Sequence, residues 1–135
     1  MNEQNINSGI FGLGSPNNAY SQYFSGRSWL KMLTVERLVT ANVTFEAGCR
    51  NNWHVHHKGG QILLVTAGRG WYQEWGKPAV SLTPGTVIII PAEVKHWHGA
   101  KKDSWFAHIA IEVPGEETAN EWLEAVDDAA YDGLE

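Results

Sequence analysis

Apolar positions fall into three rhythms along the chain. Residues 1 to about 20 are rich in Asn, Ser and Gly with isolated apolar side chains, the composition of an irregular arm that orders only where it docks. From Ser28 onward, short apolar or alternating segments follow one another, broken by Gly and Pro. WLKMLT and RLVTANVTFEAG come first, and in the second Val39, Ala41, Val43 and Phe45 recur at the two-residue period of a half-buried strand. QILLVTAG and GWYQEW follow, joined by Gly68-Arg69-Gly70 as a tight turn. AVSL, a Thr83-Pro84-Gly85 turn, TVIIIP, KHWHGA and SWFAHIAIEV complete the series. Strands this short and evenly spaced predict an all-β sandwich or barrel. After Pro114-Gly115 the β pattern stops. Thr118-Ala119-Asn120-Glu121 resembles a capping box ahead of EWLEAV, which predicts a short C-terminal helix with Trp122, Leu123 and Val126 against the barrel. The expected organisation is an arm over residues 1–27 and one domain over residues 28–135.

Composition narrows the partners. At 135 residues the chain is long enough to bury a core without disulfide staples. The formal net charge is −5 and no Lys/Arg run stands out, which argues against nucleic acid or an anionic membrane as the main partner. No apolar run approaches the length of a membrane span, and the first residues lack the build of a signal peptide. The single cysteine, Cys49, fits a reducing compartment, so a cytoplasmic location is expected. The acidic run after Glu112 reads as a solvated face around the predicted helix.

Candidate chemistry lies in the histidines. Residues two apart on an extended backbone face the same side, so His54 and His56 point together while Val55 points away. His57 breaks that alternation and is read as facing outward. The same rule pairs His96 with His98 across Trp97, and puts His108 on one face with Phe106, Ala110 and Glu112. Three separate strands therefore aim imidazoles at one interior. Any one of them alone reads as a core histidine hydrogen-bonded to backbone; three on matched strands point to a shared divalent cation.

The offsets carry a family resemblance. Gly48, five residues, His54-x-His56, four residues, Gln61, six residues and Gly68 resemble the first motif of the cupin superfamily. Gly85, five residues, Pro91 and, after four more, His96 resemble its second. The resemblance implies a cupin barrel (a double-stranded β-helix, or jelly roll) that binds one metal through His54, His56, Gln61 and His96. Gln61 stands where the superfamily usually has Glu, and Glu93 and Ala100 replace the Gly and Asn of the second motif. With Gln61 the ligand set holds no anion. The stretches VTFEAG, TAGRGW and KHWHGA also resemble the small bacterial cupins related to manganese-dependent cupin hydroxynitrile lyases, which differ by one residue between His56 and Gln61. That resemblance implies manganese as the metal, with Fe, Ni or Zn as alternatives, and a homodimer formed through the N-terminal arm.

A Lewis-acid cation beside a base suits cyanohydrin cleavage or decarboxylation-like chemistry on a small oxygenated substrate. His108 is the candidate catalytic base, with an ordinary imidazole pKa near 6.5. The reading from a different class is a metal-bearing cupin that binds a small molecule without turning it over. His98 is expected at the barrel mouth or bonded to backbone. Ala41 and Val43 are placed at the cavity, where small side chains leave room for substrate. Trp53, Trp71, Trp97 and Trp105 read as core or dimer contact, Arg27 and Arg50 as surface charges, and Cys49 as a bystander.

Overall fold

The computed structural model describes residues 8–134. In chain order its strands are β1 (Ser15–Pro16), β2 (Phe24–Ser25), β3 (Ser28–Thr34), β4 (Thr40–Phe45), β5 (Arg50–Asn51), β6 (His54–His57), β7 (Gly60–Gly68), β8 (Gly70–Glu74), β9 (Val80–Leu82), β10 (Val87–Pro91), β11 (His96–Ala100), β12 (Phe106–Glu112) and β13 (Ala119–Trp122), followed by α1 (Asp128–Asp132). They form two antiparallel sheets. One has the order β1-β3-β4-β12-β7-β10; the other runs β13-β6-β11-β5-β2, with β8 also on β11 and β9 beyond it. This is the all-β jelly-roll barrel that the strand rhythm and the motif offsets predict.

Alternation in β7 shows how the sequence builds the wall. Gln61, Leu63, Val65 and Ala67 are buried, while Ile62, Leu64 and Thr66 lie half-buried on the opposite face. Leu63 and Val65 join Phe45, Tyr72, Leu82, Ile90 and Phe106 in the core between the sheets. The strand ends on Gly68 at φ 71, where a Cβ would stand 1.7 Å from the Trp105 carbonyl oxygen. Only glycine fits there, and this sets the tight turn into β8. A second cluster of Trp53, Trp71, Trp97, Val126 and Tyr131 packs elsewhere, partly under the C-terminal segment.

Two features of the chain ends bear on the site. The short C-terminal helix is present, but it begins at an Asp127 cap, whose carboxylate accepts from the Ala129 N–H at 3.3 Å, and not at the Thr118 capping box. Residues 119–122 are instead a strand, with Asn120 opposite His56 and Trp122 opposite His54. The free edge of β6 offers a row of unpaired peptide groups, and pairing with them outweighs the local helix signal. At the other end, β1 pairs with β3 and β2 with β5, and the Asn42 amide donates to the carbonyls of Ser8 (2.9 Å) and Gly12 (2.6 Å). The arm is docked from Ser8 onward; its first seven residues, and Glu135 at the far end, lie outside the described residues. Among the described residues no helix is long and apolar enough to cross a membrane.

Candidate metal centre

Strand β6 buries His54 and His56 and turns Val55 and His57 to its other face. Strand β11 brings His96 directly opposite His54. The ring centroids of His54 and His96 are 4.2 Å apart, and each is 5.1 Å from that of His56. One nitrogen from each of the three rings lies within 4.8 Å of the others, so the trio could hold a metal ion.

Hydrogen bonds decide which nitrogens are free. His54 Nδ1 donates to the Asn52 carbonyl at 2.8 Å and His96 Nδ1 to the Val94 carbonyl at 2.9 Å. His56 Nδ1 is 2.7 Å from Asn120 Oδ1, again an acceptor. Each ring thus carries its proton on Nδ1 and presents a bare Nε2 lone pair, the tautomer a metal ligand needs. Burial is the main cause that holds His54 well below the usual imidazole pKa and pushes His96 down to about 4, so both are neutral. The Nε2 atoms of His56 and His96 are buried with no partner. An orphaned buried polar atom costs about 1–3 kcal/mol, and coordination to a cation removes that cost.

Gln61 leads β7 into the same cavity. Its Nε2 donates to Glu112 Oε1 at 2.8 Å, while its Oε1 is buried and unpartnered. The three imidazole nitrogens, each with its other ring atom already engaged, suit a divalent cation, and Gln61 lines the same cavity as His54 and His56.

A second pair of imidazoles lies on the cavity wall. His108 Nε2 is 3.3 Å from His98 Nδ1, and both rings are buried. Asn51 steadies His98: its Oδ1 accepts from the His98 backbone N–H at 3.0 Å, and its Nδ2 is 3.2 Å from His98 Nε2. His98 is therefore inside the barrel, neither at its mouth nor bonded through its ring to backbone. Burial pushes His108 down to about 3 and, with help from His108, holds His98 well below its ordinary value. His57 faces outward as expected, between Glu93 (2.6 Å) and Glu121 (2.8 Å), and these bonds raise its pKa.

The cavity, of about 500 Å³, is lined by Ala41 and Val43 from β4, as the alternation predicts, and by Tyr20, Phe24 and Trp122. Trp53, Trp71, Trp97 and Trp105 do not line it; Trp105 packs on Trp29 with centroids 5.2 Å apart. Arg27 is the expected surface charge, paired with Glu46. Arg50 is not: it is buried, donates to the Val126 carbonyl at 3.1 Å, pairs with Asp128 and lies over the Tyr131 ring. Burial pushes the Cys49 thiol far up, which keeps it inert. Glu93, in the place of a motif glycine, adopts φ 70, and its carboxylate accepts from the Lys58 N–H at 3.2 Å.

Sequence reasoning misses Asn120 and Trp122, because it places both on a helix. It sets Glu112 on the inward face of β12 but gives it no role. Asn51 carries no signal in the sequence: only its distance from His98 in space reveals it.

Residues 41–111 match the cupin domain family. Over 91 residues the chain is 43% identical to an (R)-mandelonitrile lyase from Granulicella tundricola, spanning 67% of this chain and 69% of that enzyme. A cupin-like protein of known structure from Thermotoga maritima superposes with a TM-score of 0.85 at 42% identity, over 93% of this chain and 97% of that one. A DMSP lyase from Ruegeria pomeroyi superposes with a TM-score of 0.61 at 17% identity, over 95% of this chain and 61% of that one, and so shares the fold alone.

Proposed function

The chain belongs to the cupin family, and from that premise we propose that it is a metal-dependent lyase acting on a small oxygenated substrate, with cyanohydrin cleavage as the leading reaction. The observation that carries this reading is the trio His54, His56 and His96, each with Nδ1 engaged, of which His54 and His56 line a cavity that also holds the neutral His98–His108 pair. The similarity to an (R)-mandelonitrile lyase supports it. The resemblance to manganese-dependent cupins puts manganese first, and a set of imidazole nitrogens with one amide oxygen admits Fe, Ni or Zn as alternatives. When bound, the cation supplies Lewis acidity toward a substrate hydroxyl or carbonyl oxygen.

The chain's own residues do the rest. His108, neutral at working pH, accepts the hydroxyl proton of the cyanohydrin. The C–CN bond breaks, its electron pair leaves on cyanide, and a carbonyl forms. The proton then returns from His108 to cyanide, giving hydrogen cyanide and an aldehyde or ketone. His98 holds the His108 ring in place through the 3.3 Å contact. Ala41 and Val43 leave room for the carbonyl substituent, and His108 itself is buried. Decarboxylation of a keto acid would use the same groups, with carbon dioxide as the leaving fragment.

One observation favours the binding-only reading: a His108 pushed down to about 3 is a weak base at neutral pH. The test is cyanide release from aromatic and aliphatic cyanohydrins by the manganese-loaded protein. The lyase reading expects turnover that a chelator abolishes, and His108→Ala lowers kcat by about 100-fold or more. Tight binding of these compounds by the loaded protein, with no turnover of them or of keto acids, sinks it in favour of a binding module.

A further inference from the structure

Strand β12 places Glu112 opposite Gln61 of β7. The carboxylate oxygen Oε1 accepts from Gln61 Nε2 at 2.8 Å. An amide presents a donor at one corner and an acceptor at the other, so a partner that only accepts fixes which way it turns. Nε2 faces back to Glu112, and Oε1 is left buried, unpartnered and committed to the cavity. The Asn52 carbonyl, Asn120 and the Val94 carbonyl do the same for His54, His56 and His96, each taking up the atom that must not face the cation.

Glu112 differs from those three in being a carboxylate. The set His54, His56, Gln61 and His96 is neutral, so a divalent cation held by it would have no compensating charge among its ligands. Glu112 stands one hydrogen bond behind and also lines the cavity. A carboxylate accepting from Nε2–H polarises the amide and enriches Oε1, making it a better donor to a cation.

We propose that Glu112 is a positioning residue of the cation site: it turns the Gln61 amide oxygen inward and supplies from behind the negative charge that the four neutral ligands lack. The Gln61–Glu112 pair then does the work of one ligating carboxylate, moved outward by one amide. This rests on the metal-site reading above and concerns affinity, not turnover.

The test titrates the metal-free full chain with Mn(II) and follows free and bound ion by electron paramagnetic resonance. Wild type is compared with Glu112→Gln, Glu112→Leu and the exchange Gln61→Glu with Glu112→Gln; thermal melts establish that each variant folds. Glu112→Gln keeps a hydrogen-bonding partner without the charge and is expected to bind about 10-fold more weakly. Glu112→Leu also frees the amide to turn and is expected to lose about 100-fold, with a changed bound-ion spectrum. The exchange restores a facing amide and carboxylate and should bind at least as tightly as wild type. Wild-type affinity and spectrum in both single variants, or an exchange that binds no better than the Glu112→Leu variant, overturns the proposal. If wild type itself binds no manganese, it is the metal-site reading that fails.

Discussion

His54, His56 and His96 sit among apolar strands with one nitrogen tied down and the other bare, and that asymmetry is the chemical content of the site. Two-residue periodicity on three strands makes the inward histidines legible in the sequence. The atoms that orient them are not, because two are backbone carbonyls and the third, Asn120, comes from a segment 64 residues away. Asn120→Leu removes the acceptor from His56 Nδ1 and lets the ring choose the wrong tautomer. Metal affinity measured by competition with a chelating dye should fall by about 10-fold to 100-fold while the fold persists; unchanged affinity would show that the Asn120 bond does not matter. Buried His108 also makes an acid-stability prediction. In the unfolded chain it takes up a proton near 6.5, whereas the folded protein resists protonation down to about 3. The unfolded state therefore binds more protons across that window, and stability falls as pH drops through it, by at most about 1.4 kcal/mol per pH unit for one such group. Urea melts of the metal-free protein should show this loss below pH 6.5. The acid limb of His108→Gln should be shallower by that group's share, and parallel limbs would contradict it.

Elements were legible where pattern and position agree. Val39, Ala41, Val43 and Phe45 alternate, and Thr40–Phe45 is indeed the strand that lines the cavity. Gly68-Arg69-Gly70 predicts a turn, and Gly68 holds the left-handed conformation that the turn requires. Thr118–Glu121 shows where local chemistry misleads. A capping box and an amphipathic run favour a helix, but β6 ends the sheet with an open edge, and only the fold reveals that edge. Pairing there also delivers Trp122, whose ring centroid lies 4.7 Å from that of His54. At Gly68 an alanine would meet both the positive φ and the Trp105 carbonyl at 1.7 Å. Gly68→Ala should cost on the order of 3 kcal/mol, read as a lower urea midpoint at unchanged slope. A midpoint equal to wild type would mean that β7 and β8 can part without penalty.

Across the whole molecule, eight motif positions at fixed offsets make the barrel and its family legible before any coordinates are known. Those offsets have a physical basis here: Gly48, Gly68 and Gly85 turn the chain at positive φ, and His54, His56 and His96 meet between the strands. The rest of the site depends on long-range closure: the docked arm supplies Tyr20 and Phe24 to the cavity, and the C-terminal strand supplies Asn120 and Trp122. A short sequence window cannot show contacts made across the length of the chain. The structure also modifies one inference from sequence. The proposed ligand set of His54, His56, Gln61 and His96 is neutral, yet the Glu112 carboxylate lies directly behind Gln61. The central claim, that these residues hold a divalent cation, is tested most directly by elemental mass spectrometry of the purified protein beside His96→Ala prepared in the same way. The account predicts near-stoichiometric Mn, Fe, Ni or Zn in wild type and its loss in the variant. No metal in wild type even after reconstitution, or equal metal in both proteins, would contradict it.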